Sequence, residues 1–200
     1  MSDKSDQPRE PWQLLDSTYS YRDQWLSVRS DTVLLPNGQK LSPYHVIELP
    51  QWVNVIAITD KGDILLVEQY RHAVQHTMFE LPAGHVDPGE TAEAAVKREL
   101  LEETGYEAKQ WHDLGVLFPA VSRLNNKVRS YLALGAHRIR EPHLDSTEDL
   151  RLHSMPWARF VEWLFSGDMR LRDSNQFASL LLLHMHASKS TDPTLAMFRL

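Results

Sequence analysis

Three glutamates crowded onto one face of a short helix constrain this chain more than any other feature. From Thr91 to Thr104 the sequence reads as helix, with Gly105 as its stop. Glu99 and Glu103 are four residues apart, and Glu99 and Glu102 three apart, so the carboxylates leave neighbouring positions. Like charges at that spacing cost about 0.2–0.5 kcal/mol per pair. Glu102 and Glu103 also lie in the last turn, where the helix dipole disfavours anions. Lys97 and Arg98 relieve only part of this, while Ala94, Ala95, Leu100 and Leu101 offer a packing face. A solvated acidic face is the commonest meaning of such a pattern. The sharper meaning is a cation site, since carboxylate oxygens are the preferred ligands of Mg²⁺, Mn²⁺ and Ca²⁺.

Around this helix the chain alternates β-rich stretches with loops. Trp25–Val28 and Thr32–Leu35 read as short strands, Pro36-Asn37-Gly38 as a turn, and His45–Leu49 as a return. Val53–Thr59 and Ile64–Gln69 form a hairpin pattern about Asp60-Lys61-Gly62-Asp63. Breakers fill Leu81-Pro82-Ala83-Gly84 and Asp87-Pro88-Gly89 ahead of the helix. Val128–Leu134 reads as a strand, and Trp157–Phe165 and Asn175–His186 as helices. Strands mixed with a few helices predict an α+β sandwich, with helices flanking a mixed sheet.

The loop and helix carry a spaced motif: Gly84, five residues, Glu90, seven residues, Arg98-Glu99-Leu100, one residue, Glu102-Glu103, one residue, Gly105-Tyr106. Seven of these nine residues, leaving out the apolar positions Leu100 and Tyr106, match by chance about once in 10⁸ starts at roughly 6–7% frequency each. The stretch resembles the Nudix box, with Tyr106 in place of the usual aliphatic residue. The resemblance implies a Nudix α/β/α sandwich and a metal-dependent pyrophosphohydrolase. By position it makes Glu99 and Glu103 the principal ligands of Mg²⁺ (or Mn²⁺), with Glu102 and the carbonyl of Ala83 completing the set. Glu90 and Arg98 become a structural ion pair, and Gly84 and Gly105 the backbone positions of the box.

Val67-Glu68-Gln69-Tyr70-Arg71 and Phe79-Glu80-Leu81-Pro82-Ala83-Gly84 are similar to the ADP-ribose and nucleoside diphosphate sugar pyrophosphatase branch. Arg71 and Glu80 then face the substrate, although a strand-end salt bridge is the alternative for this pair. Pro119 stands near the place of a proline found in that branch, and Arg123 beyond it is a candidate phosphate contact. An exposed loop arginine that is merely solvated is the competing reading. A metal-bound carboxylate is a poor proton acceptor, so a further acid is expected from a separate loop. Glu141–Asp149 supplies it, with Glu148 first and Asp145 and Glu141 behind; a solvated acidic loop is the alternative. The base is thus expected at Glu148, and the resemblance gives Glu102 a catalytic role through the cation it would help hold.

These readings divide the chain into a disordered tail (1–10), an N-terminal antiparallel β-rich dimerisation arm (11–50), a Nudix hydrolase domain (51–188) and a C-terminal tail (189–200). The resemblance to that branch implies ADP-ribose or a related nucleotide sugar as substrate and a homodimer paired through the N-terminal arm. Dinucleoside polyphosphates or coenzyme-like pyrophosphates are the alternative substrates, and a non-catalytic ligand-sensing module the alternative class. A net charge of −6 argues against a basic nucleic-acid footprint. No run is apolar for long enough to span a membrane. Met1–Glu10 lacks the apolar core of a secretory signal and cysteine is absent, which together lead to the expectation of a cytoplasmic protein. His72/His76 and His184/His186 lack a third ligand at a recognised spacing, so a histidine metal site is not expected.

Overall fold

The computed structural model describes residues 9–199, and most of the expected 1–10 tail lies outside that range. The chain forms two compact units. The first comprises residues up to Pro50 together with Ala120–Asn126, and the second Gln51–Pro119 with Lys127 onward.

The first unit is a three-stranded antiparallel sheet in the order β1 (Gln13–Arg22), β2 (Ser27–Leu34), β3 (Lys40–Glu48). The sequence runs at Trp25–Val28 and Thr32–Leu35 belong largely to the single strand β2. Strand β1 was not expected. Register shifts at Leu14/Asp16 and Tyr19/Tyr21 break its period-two alternation, and no residue of it is buried. Segment 120–126 is pinned to β3, with Ile47 N–H donating to the Arg123 carbonyl at 2.8 Å.

The second unit is built on a mixed eight-stranded sheet. Its spine runs β11 (Leu150–Pro156), β5 (Asp63–Arg71), β4 (Trp52–Thr59), β10 (Val128–Arg138), β8 (Tyr106–Glu107). Strand β6 (His76–Glu80) pairs with β5, β7 (Ala83–His85) with β4, and β9 (Gln110–Leu117) with β10. The β4–β10 pairing is parallel and the others antiparallel. Residues Val53–Ile58 of β4 are buried without a break, as a strand covered on both faces must be. Val53, Val55 and Ala57 face a core shared with α1 (Ala92–Thr104). Ile56 and Ile58 face the opposite core, filled by α2 (Trp157–Phe165) and α3 (Ser174–Lys189). This is an α/β/α sandwich, and it positions α1 over the sheet beside the β7 loop.

Helix α1 starts at Thr91, whose side chain accepts the Ala94 N–H, and stops at Gly105, which is left-handed at φ 75°. A Cβ on Gly105 would lie 2.1 Å from the Arg140 carbonyl oxygen, so both its conformation and its surroundings require glycine. The packing face differs from expectation: Ala94 is exposed, and Ala95, Val96 and Leu100 are buried. Within the C-terminal tail expected over 189–200 lies a 3₁₀ turn, Pro193–Phe198. Pro193 and the polar residues before it hid two anchors, Leu195 at 1% and Phe198 at 2% exposure, which enter the α2/α3 core. Replacing Leu195 by Ala should cost about 2–5 kcal/mol in denaturant unfolding. An unchanged midpoint would show that this segment adds nothing to the core.

Candidate active site

The carboxylates of α1 do not form a solvated face. Ala95, Glu99 and Glu103 recur at intervals of four, so one ridge of the helix runs from the apolar core into the acidic site. Glu99 retains 8% exposure and Glu103 5%, whereas the Glu102 side chain is 37% exposed. Burial pushes the Glu103 carboxyl well above its ordinary range, with the charges of Glu99 and Glu148 adding to the effect. Burial also raises Glu99, against the opposing pull of Arg98.

The β7 loop fits these side chains closely. Ala83 N–H donates to Glu103 Oε2 at 3.0 Å. A Cβ on Gly84 would sit 2.0 Å from the Glu99 carboxyl carbon, so glycine here is what admits that carboxylate. Arg98 ties loop and helix together. Its guanidinium donates to both oxygens of Glu90 at 3.1 and 3.0 Å and to the His85 carbonyl at 3.0 Å. It also donates to Glu99 at 2.8 Å and to Glu102 at 3.0 Å. A fork shared among three carboxylates holds the guanidinium above even its usual high range, the Glu90 hydrogen bonds contributing most.

The acidic loop after β10 enters the same space. A cavity of about 250 Å³ is lined by the α1 carboxylates, Arg71, Gln69, Asp145 and Glu148. Asp145 N–H donates to Glu148 Oε2 at 2.9 Å, and Glu148 N–H returns to the Asp145 carbonyl at 2.9 Å, a closed turn that fixes the side chain. His143 N–H donates to the Glu102 carbonyl at 2.8 Å and anchors the loop to the end of α1. Glu141 instead pairs with Arg138, is highly exposed and is not among the residues lining the cavity.

Arg71 and Glu80 are bonded across the β5–β6 hairpin, at 2.9 and 3.1 Å from Nε and 2.5 Å from Nη2. The Glu80 hydrogen bond raises the Arg71 guanidinium, and Glu103 and Asp173 contribute at longer range. The salt bridge is therefore present, and Arg71 lines the cavity as well. Arg123 belongs to the first unit, where it donates to the His45 carbonyl at 3.4 Å and lies over the Tyr44 ring. Every residue lining the acidic cavity comes from the second unit.

Sequence reasoning missed Trp52, Gln69, His85 and His143 as lining residues. Gln69 and His85 adjoin segments already singled out, but nothing in their spacing marks them. Trp52 packs edge-to-face on His85 at 4.3 Å, and burial lowers the His85 imidazole.

The chemistry of this donor set fits a hard divalent cation: oxygen ligands only, two of them buried, in a cavity with excess negative charge. As placed, Glu99 and Glu102 turn toward Arg98. Among the described residues no group of three or more His, Asp or Glu side chains is gathered ready to hold a metal. No helix is long and apolar enough to cross a membrane.

Residues 49–174 match the NUDIX domain, and residues 12–47 the nucleoside diphosphate sugar hydrolase N-terminal domain. An ADP-ribose pyrophosphatase of Mycobacterium tuberculosis is 32% identical over 160 residues, covering 79% of this chain and 76% of that protein. One from Bacillus subtilis is 38% identical over 103 residues, 52% of this chain and 55% of that protein. The crystal structure of an ADP compounds hydrolase superposes with a TM-score of 0.80 over 97% of this chain and all of that one. At 21% identity it bears on the fold alone. The chain belongs to the Nudix family, in the branch that carries the N-terminal domain of nucleoside diphosphate sugar hydrolases.

Proposed function

We propose that this protein hydrolyses the pyrophosphate bond of ADP-ribose, or of a related nucleoside diphosphate sugar, to AMP (or another nucleoside monophosphate) and a sugar phosphate. The observation that carries the reading is the convergence of Glu99, Glu102, Glu103 and Glu148 on one cavity bordered by Arg71. ADP-ribose pyrophosphatases among its relatives support the choice of substrate.

Glu99 and Glu103, with Glu102 and the Ala83 carbonyl, are the groups that would hold Mg²⁺ or Mn²⁺. Such an ion neutralises phosphate charge and eases deprotonation of water when bound. Arg71, fixed by Glu80, presents its guanidinium to a phosphate oxygen and so orients the chain of phosphates. Glu148 accepts the proton of the attacking water, since its loop turn holds it in the cavity without engaging a cationic side chain. Glu90 and Arg98 brace the loop and take no part in proton transfer.

Glu148→Gln should lower kcat on ADP-ribose by about 10²-fold with substrate affinity preserved. Unchanged kcat would move the base role to Asp145 or to the cation alone. In the same assay, dinucleoside polyphosphates favoured by more than about tenfold in kcat/KM, or ~1.4 kcal/mol, would overturn the substrate assignment. No metal-dependent turnover of any pyrophosphate would favour the sensing module.

The N-terminal sheet supports a homodimer. Trp12, Leu14, Leu15, Tyr19 and Tyr21, along and just ahead of β1, are each 41–54% exposed, a large apolar display for a free surface. Light scattering at micromolar concentration should give twice the chain mass. A fully active monomer would contradict this assembly.

A further inference from the structure

Strand β6 separates the acidic site from a larger cavity. Met78 and Glu80 of the strand line a space of about 320 Å³, which also bears Gln176 and shares Trp52, Arg71 and Ala83 with the acidic cavity. Phe79, between them in sequence, points to the opposite side and packs on His153 of β11 and Trp163 of α2. There the structure has a cavity of about 550 Å³ that shares no lining residue with the other two. We propose that it binds a nucleoside monophosphate, with the base stacked on Arg170, an amino group of the base on Glu162 and the phosphate on Arg159. This site holds none of the groups used in the hydrolase reading and does not depend on it.

Arg170 supplies the platform. Its Nε donates to the two Asp168 oxygens at 3.1 and 3.2 Å, and its Nη2 to Asp168 Oδ2 at 2.7 Å. The same carboxylate accepts the Trp163 indole N–H at 2.9 Å, so one acid sets both planar groups. The guanidinium carbon lies 5.3 Å from the centre of the Phe79 ring and 5.5 Å from that of Trp163. Long side chains lose rotamer freedom when a ligand immobilises them, and here the fold has already fixed this one. Half of the side chain stays exposed, and it lines the cavity as a flat cationic surface of the kind on which an aromatic ring stacks.

The flanking charges define the rest of the ligand. Arg159 and Glu162 stand three apart on α2 and line the same cavity. They are opposite in charge, yet among the described residues neither side chain has an ion-pair or hydrogen-bond partner. Arg159 offers an unshared fork to a phosphate, and Glu162 an acceptor to an exocyclic amino group. His153 is already bonded to Glu68 at 2.8 Å and adds only ring surface, as Met155 adds apolar surface. A flat ring with an amino group at one end and an anion at the other is the chemistry of an adenine, guanine or cytosine nucleotide. The volume lies within the range of ordinary small-molecule pockets, about 300–1,000 Å³.

Equilibrium dialysis of the full chain with AMP tests this, in EDTA so that no cation draws phosphate to the acidic cavity. Adenosine and indole-3-acetate, an aromatic carboxylate, are measured beside it. Arg159→Ala removes the phosphate contact, and Glu162→Trp fills the cavity; both positions are exposed, so neither change burdens the core. Each variant should raise the AMP dissociation constant by about tenfold or more. Adenosine binding should stay within about twofold in Arg159→Ala and weaken in Glu162→Trp. The inference is overturned if the wild type does not bind AMP, if the AMP constant is unmoved in Glu162→Trp, or if indole-3-acetate binds as tightly as AMP. Turnover enters none of these readouts, so failure of the hydrolase reading and failure of this one are told apart.

Discussion

The buried pair Glu99 and Glu103, set on a helix ridge that begins in the apolar core, is the constraint around which the second unit is arranged. Two carboxylates held at 8% and 5% exposure on adjacent turns repel one another and lose hydration. The surroundings answer only part of that cost. Ala83 N–H reaches Glu103 and Arg98 reaches Glu99, while Gly84 removes the side chain that would occupy the same volume. Arg98 in turn is steadied by Glu90, so the loop before the helix and the helix itself cannot shift independently. What the protein leaves uncompensated is the negative charge facing the cavity, to which the Glu148 loop adds more. In the proposed function, a divalent cation would offset that imbalance when a polyphosphate binds.

The sheet makes this arrangement rigid. Strand β4 is covered on both faces, and β7 pairs with it, so the Ala83–His85 backbone is tied to the most buried strand of the sheet. Helix α1 is packed on one face, and α2 and α3 on the other, so the acidic cavity borders one layer and the cavity bearing Gln176 borders the other. Arg71, on a strand of the sheet between the layers, lines both.

Much of this was legible in the sequence, for identifiable reasons. The box residues carry their own spacing, β4 is apolar from Val53 to Ile58 but for Asn54, and α2 is amphipathic. Thr91 and Gly105 mark the ends of α1 through capping chemistry that is local by nature. What was not legible depends on tertiary contacts. Strand β1 loses its alternation at two register shifts, and the Leu195/Phe198 turn is apolar at only a few positions. That Val96 and not Ala94 packs inward follows from how α1 is rotated on the sheet, which three-residue windows do not determine.

The central claim is that the buried carboxylates of α1 form a divalent-cation site. Titration of Mn²⁺ into the full chain, followed by electron paramagnetic resonance, tests it without reference to turnover. The wild type should bind saturably, and Glu99→Gln and Glu103→Gln should each weaken binding by about tenfold or more, ~1.4 kcal/mol, with far-ultraviolet circular dichroism unchanged. Both variants binding Mn²⁺ as tightly as the wild type, at the same stoichiometry, would contradict the account.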